Sequence, residues 1–299
     1  MTEDQRREGL ITEALLILAA SCASLTEGIA IRRYNTRHSG GGFLFVAMIS
    51  AFSLFFFAAA DRNGFHAPAA LWLLGMISVI FFCTASFLTY LALQCGPFAQ
   101  TNLILSYNVV LSISYGIFFL HEPLSPMNLP GIAVILISLY LINPGTKSKA
   151  PTEANRISVK WLIFIGLSTV GCGMVGVLQK MQQIHFENAC NHEFMIITLS
   201  FSAVMLAVVG FRQERGRIRQ VLRSGLPYAA CAGTANGVTN FLSMFINNLM
   251  PLTLASPLRT GTKIVLSFVC SRLLFREDFN LRQIVGIVLG TFGLILLNL

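Results

Sequence analysis

Apolar stretches long enough to cross a bilayer, which takes about 20 helical residues, recur along the whole chain. They predict helices near 10–31, 41–60, 68–94, 97–120, 126–143, 159–183, 192–211, 225–248, 251–275 and 281–298. The breaks at 94–97 and 248–251 are short, and each carries a proline (Pro97, Pro251) placed to begin the next helix, so the flanking helices form tight hairpins. Only Pro144 to Ser158, near the middle of the chain, reads as a linker. Within the apolar blocks the polar residues keep helical spacing. On the eighth predicted helix Asn236, Asn240, Ser243 and Asn247 are four, three and four apart, a stripe that must face protein or water because lipid offers it no partners. On the ninth, Arg259 and Lys263 share a face, extended by Ser256 and Ser267. On the fourth, Asn102 and Ser106 make one polar face and Thr101, Asn108, Ser112 and Tyr115 another.

The two halves carry the same punctuation. Pro97 and Pro251 are 154 residues apart, as are Phe87 and Phe241, and Leu88 and Leu242. Glu122 and Glu277, Gly131 and Gly286, Ile132 and Ile287, and Asn143 and Asn298 are 155 apart, so a one-residue gap reconciles the series. Five helices per repeat is an odd number, so the second repeat must enter the membrane from the opposite side. The expected fold is therefore an all-α integral membrane protein, ten transmembrane helices arranged as two inverted five-helix repeats. Its expected parts are a tail over 1–9, repeats over 10–143 and 159–299, and a linker over 144–158. Inverted repeats are a recurrent plan of secondary transporters, which hold substrate near the bilayer midplane.

Composition agrees. Hydrophobic residues make up 55% of the 299 and charged residues only 11%, with a mean hydropathy of +0.69; soluble domains carry about 25% charge. The net charge of +8 is spread through short loops and forms no basic stripe, which excludes nucleic acid as a partner. Six of the seven cysteines fall inside apolar segments and no CxxC pair occurs, so they read as small buried residues rather than disulfides or zinc ligands. The acidic residues of the first nine positions, and the length of the stretch that follows, argue against a secretory signal.

The stretches TYLALQCGPFAQTNLIL and FFLHEPLSPMNLPGIAVILISLYLINP (within 89–144), with MFINNLMPLTLASPLRTGTKIVLSFVCSRLLFREDFNLRQIVGIVLGTFGLILLNL (244–299), resemble the EamA-type ten-helix members of the drug/metabolite transporter superfamily. In that family each half has a proline opening its fourth helix, a Glu after it and a glycine-bearing fifth helix; here these are Pro97, Glu122 and Gly131, then Pro251, Glu277 and Gly286. The resemblance implies a central cavity lined by the third, fourth, eighth and ninth helices. Its cargoes range over amino acids, sugars, nucleotide-linked compounds, drugs and metabolites.

Charges inside a membrane helix are costly and rarely idle. Arg259 and Lys263 are therefore the leading candidates for a substrate carboxylate or phosphate, the alternative being pairing with an acidic residue on another helix. Asn236, Asn240 and Asn102 are candidate hydrogen-bonding groups, and Tyr107 a candidate to pack the cargo's apolar part. Glu27, late in the first helix, is either a coupling carboxylate for protons or an interfacial group paired with Arg32 or Arg33. The small multidrug branch of the superfamily uses a first-helix Glu, although the surrounding motif here does not match it closely. Gly171 to Gly176 spells GxGxxG, but within an apolar helix it lacks the strand–turn–helix setting of a dinucleotide site and is read as close helix packing. His185, Glu187, Cys190, His192 and Glu193 lack zinc spacing, and Arg212, Arg215, Arg217, Arg219 and Arg223 form a basic loop.

No nucleophile–base pair, metal cluster or cofactor motif is found, so an enzyme is not expected. The leading expectation is a secondary transporter working by alternating access, exporting amino acids or related carboxylates across the cytoplasmic (inner) membrane as a monomer or homodimer. Its rivals are a proton-coupled exporter of cationic drugs built on Glu27 and a lipid-linked-sugar flippase. Fifteen Lys and Arg fall on the side of the loops after the odd-numbered helices and four on the other, which places both termini outside the cytoplasm by the positive-inside rule. Relatives of ten helices are expected to have both inside.

Overall fold

The computed structural model describes residues 3–38, 41–60, 65, 67–96, 98–121, 128–142, 159–187, 190–275 and 281–296. The linker, Glu122, Glu277 and Pro97 lie outside them. The described residues contain no strand. Their helices are α1 (Glu3–Arg37), α2 (Gly42–Ala60), α3 (Ala69–Cys95), α4 (Phe98–Leu105), α5 (Asn108–Phe118), α6 (Asn128–Ile142), α7 (Val159–His185), α8 (Asn191–Gln213), α9 (Ile218–Leu249), α10 (Leu252–Phe275) and α11 (Leu281–Leu296). A single 3-10 turn, Arg215–Arg217, precedes α9.

Five of these, α1 (from Thr12), α2 (to Ala59), α3, α7 and α8, are long and apolar enough to cross a membrane by length and composition alone. The long α9 and α10 fall short because they carry the polar stripe and the two cations. Leu73, Phe55, Val204, Leu273, Val288 and Phe292 expose large apolar side chains at the surface, which water would penalise and lipid tails accept.

The fourth predicted helix is two helices. Between α4 and α5, Tyr107 N–H donates to the Ile104 carbonyl and Val109 N–H to the Ser106 carbonyl, both three residues back, in place of the α-helical four. The Ser106 hydroxyl also donates to the Asn102 carbonyl at 2.7 Å. Such back-bonding bends helices, and Ser106-Tyr107-Asn108 has little helix propensity to resist it.

Packing joins the halves. α1 lies on α9 and α10, α2 on α8 and α9, α3 on α7 and α8, α5 on α7 and α10, and α6 on α11. Exchanging the halves exchanges these pairs: α1–α9 becomes α7–α3, and α2–α9 becomes α8–α3. The pairs α2–α8 and α6–α11 map onto themselves. Small residues allow the approach. A Cβ on Gly171 would meet the Phe81 carbonyl of α3 at 3.1 Å, and one on Gly233 the Ile49 carbonyl of α2 at 2.6 Å, so the GxGxxG run does serve helix contact. Polar side chains close helix ends. Glu214 accepts from the Phe43 and Leu44 amides at 2.9 and 3.0 Å at the start of α2, where the helix dipole favours an anion. Arg32 donates to the Leu93 and Gly96 carbonyls at the end of α3.

Candidate functional site

Seven helices, α1, α3, α4, α5, α7, α9 and α10, line a partly open cavity of about 240 Å³. α9 contributes Asn236, Thr239, Asn240 and Ser243, and α10 contributes Ser256, Arg259, Thr260 and Lys263. α3 supplies Phe82, Ser86, Thr89 and Leu93, and the broken helix supplies Asn102, Leu105 and Asn108. These are the third, fourth, eighth and ninth predicted helices. The structure adds two walls: α1 through Ser24, Glu27 and Ile31, and α7 through Cys172, Val175, Gly176 and Gln179. A cavity of this volume has room for several waters and suits a small metabolite.

Of the seven residues expected at the site, Arg259, Lys263, Asn236, Asn240, Asn102 and Glu27 line this one cavity. Tyr107 is not among the lining residues and packs against an apolar cluster that includes Val109, Ile246 and Leu258. The reason is the break after α4, which interrupts the helical register at Ser106 and Tyr107. Apolar contact in the cavity comes instead from Phe82, Val175, Leu93, Ile31 and Leu105.

Charge in the cavity is unbalanced. Its lining holds two cations, Arg259 and Lys263, and one carboxylate, Glu27. The Lys263 ammonium lies within electrostatic reach of both the Glu27 carboxylate and the Arg259 guanidinium. One guanidinium nitrogen of Arg259 (Nη1) is buried without a hydrogen-bond partner among the described residues, and the Arg259 carbonyl accepts from Ser21 at 3.3 Å. A buried, unpaired donor on a cation is costly and is relieved by an anion placed against it.

Glu27 is held by an amide on α9, and not by the Arg32 or Arg33 pairing that the sequence offered as one alternative. It faces the cavity, and Arg32 reaches the end of α3. Asn236 Nδ2 donates to Glu27 Oε1 at 3.0 Å. Asn240 Nδ2 donates to Asn236 Oδ1 at 3.1 Å, and Gln179 Nε2 to Asn240 Oδ1 at 3.2 Å. Ser53 of α2 donates to Asn236 Oδ1 at 3.0 Å. The amides thus form a one-way series of donors from α7 through α9 to the carboxylate on α1, and the acceptor at its end fixes the orientation of every member. Asn236 thus holds Glu27 directly, and Asn240 orients Asn236, while both line the cavity. Asn102 Nδ2 donates to the Phe98 carbonyl at 3.1 Å.

Gln179 was missed in the sequence. Its signal was present, since Cys172, Val175, Gly176 and Gln179 recur at helical spacing on one face of α7, but a glutamine that opens the polar run Gln179, Lys180, Gln182 and Gln183 near a helix end looks interfacial. Of the other motifs, the described residues hold no group of three or more His, Cys, Asp or Glu able to bind a metal.

No curated protein sequence matches the chain. One solved structure, described only as a crystal structure of a protein, matches with a TM-score of 0.66 over 95% of this chain and 96% of its own, at 16% identity; that likeness speaks to fold alone. The model of the EamA-like transporter family matches residues 11–143 and again 159–299. The chain belongs to the EamA-like transporter family, whose two-repeat, multi-pass members are embedded in a membrane and carry small molecules rather than catalyse reactions.

Proposed function

We propose that this protein is a secondary transporter that exports amino acids or closely related carboxylates across the cytoplasmic membrane by alternating access. The observation that carries the reading is the cavity wall bearing Arg259 and Lys263, with an unpartnered guanidinium nitrogen, opposed by only one carboxylate. A substrate carboxylate balances the excess positive charge. Its ammonium group, if it has one, finds Glu27, and its side chain the surfaces of Phe82, Val175 and Leu105. The half-exchange symmetry of the packing supports ten spans in two inverted repeats, with rocking of the halves about the cavity as the transport movement. Export needs no bound nucleotide, because an ion gradient or the cargo's own gradient drives it.

Glu27 in the same cavity favours a second element of the reading, proton coupling. A carboxylate beside Lys263 that takes up and loses a proton changes how strongly that ammonium attracts a substrate anion. The rival cationic cargo fares worse. A cationic drug would meet two cations on the cavity wall.

The test is uptake of an amino-acid panel into proteoliposomes with and without a pH gradient. Arg259→Ala and Lys263→Ala should each abolish transport of carboxylate cargo while the protein still inserts. Full activity in both variants refutes the anion site.

A further inference from the structure

The polar faces that line the cavity do not stop at its edge. On α7 the stripe of Cys172, Gly176 and Gln179 continues one turn further to Gln182 and Gln183; on α9 the stripe of Asn236, Asn240 and Ser243 continues to Asn247. None of the three lines the cavity, and all are buried: Gln182 is 0% exposed, Asn247 1% and Gln183 3%. Both side-chain amide atoms of Gln182, both of Asn247 and the amide oxygen of Gln183 have no hydrogen-bond partner among the described residues. Inside a membrane protein such groups are expensive to leave unpaired. Their presence on the extension of two cavity-lining faces calls for a state in which they are paired.

Two interhelical bonds hold these turns together. Lys180 Nζ donates to the Asn247 carbonyl at 2.8 Å, and Gln183 Nε2 to the Met244 carbonyl at 2.9 Å. Both acceptors are backbone carbonyls in the last two turns of α9, so α7 grips the frame of α9 and leaves the Asn247 side chain aside. Apolar Leu178, Phe194, Met195 and Met244 pack into one cluster at the same place. The amide series that ends on Glu27 starts at Gln179, one residue before Lys180.

We propose that the adjoining ends of α7 and α9 are a gate, in which Gln182, Gln183 and Asn247 are the walls of the closed segment of the substrate path and the Lys180–Asn247 and Gln183–Met244 bonds are its latch. This rests on the transporter reading. When the latch parts, the unpaired amides meet water and cargo, and the burial that makes them costly in the closed state drives opening. Gln179 then links the gate to the carboxylate that faces the cargo.

The test uses the full chain in proteoliposomes and needs no substrate. Asn247→Cys is introduced into a chain whose native cysteines are replaced, and labelling by a membrane-impermeant cationic thiosulfonate is timed. Labelling should be slow with the latch intact and at least five-fold faster when Lys180→Ala and Gln183→Leu are added. Fast labelling with the latch intact, or slow labelling without it, overturns the gate. As a second measurement that avoids the double variant, amide hydrogen exchange over 244–249 should speed up at least five-fold in Lys180→Ala alone; unchanged exchange there also counts against the latch. Because neither readout depends on cargo, a failed transport screen combined with gated labelling faults the substrate reading, and the reverse combination faults the gate.

Discussion

On the cavity wall, Asn236, Asn240 and Ser243 of α9 hold the positions that Phe82, Ser86 and Thr89 hold on α3, 154 residues earlier. At the same offset Arg259 of α10 answers to Leu105 of α4, and Lys263 to Val109 of α5, which is fully buried in an apolar cluster. At these matched positions the first half is thus apolar or hydroxyl-bearing and the second half carries amides and cations, while Glu27, Asn102 and Asn108 are the first half's polar contributions elsewhere on the wall. The helices pack alike when the halves are exchanged, so scaffold and recognition separate: the repeat supplies a shape, and the second copy alone supplies the cations that line the cavity. On the proposed reading a carboxylate cargo is held in one orientation, since its anionic end has only the cations of α10 to bind.

Erasing the difference should therefore have the largest effect. Arg259→Leu gives α10 the residue that α4 carries. Removing one partner of a buried charge interaction costs about 2–5 kcal/mol, so kcat/KM for a carboxylate amino acid should fall about 30-fold or more, with insertion and detergent stability unchanged. The reverse change, Ser86→Asn on α3, gives that helix the amide that α9 carries at the matched position and should alter transport by less than about tenfold, because no charge is lost or gained. Equal losses in the two variants would end the claim that one half carries recognition.

The next effect lies in how Glu27 is held. Asn236→Leu removes the donor to its carboxylate, while Ser53 and Asn240 keep the backbone carbonyls of residues 233 and 236 as acceptors. A hydrogen bond to a charged group is worth about 1.5–3 kcal/mol, so transport should fall by about tenfold or more, and the dependence on a pH gradient should change with it. Glu27→Gln should give the same altered response to the gradient. If Asn236→Leu lowers only thermal stability and leaves gradient dependence intact, Asn236 is a packing residue.

Much of this was legible in the sequence because lipid is a strict solvent. Polar residues at helical spacing within an apolar run have few places to go, so Asn236, Asn240, Arg259 and Lys263 could be grouped before any contact was known. Three things were not legible. α1 and α7 enter the cavity partly through Ala20, Ser24 and Gly176, small residues that look the same whether they face a cavity or a neighbouring helix. The role of Asn236 depends on Glu27, a partner 209 residues away. The break in the fourth helix depends on one hydroxyl turning back to a carbonyl, and a hydropathy pattern does not register it.

A smaller effect tests the polar contact behind α9. Ser53 lies on α2, is fully buried and is not a lining residue, yet its single hydroxyl proton is shared between Asn236 Oδ1 at 3.0 Å and the Gly233 carbonyl at 2.7 Å. Ser53→Ala removes one neutral hydrogen bond, worth about 0.5–1.5 kcal/mol, so uptake should fall by about two- to tenfold through a less well oriented Asn236. Ser53→Thr keeps the hydroxyl and should recover most of it.

The smallest effect concerns the residue that the broken helix turned away. Tyr107 sits at the junction of α4 and α5, outside the cavity and among Leu16, Leu242, Met250 and Leu254. Tyr107→Phe keeps the ring that fills this site and deletes only the hydroxyl. A change of this kind away from a network is usually within about 0.5 kcal/mol, so kcat/KM should stay within about threefold for every cargo in the panel. The informative quantity is the ratio of KM values for an apolar and a polar amino acid. If Tyr107 packed the cargo, Tyr107→Leu would shift that ratio, whereas a residue that only supports the helix junction lowers protein yield or thermal stability and leaves the ratio where it was. Leu105→Ala, which opens the cavity wall itself, should move the ratio toward larger apolar cargo, and that contrast between neighbours two residues apart is what a break between them requires.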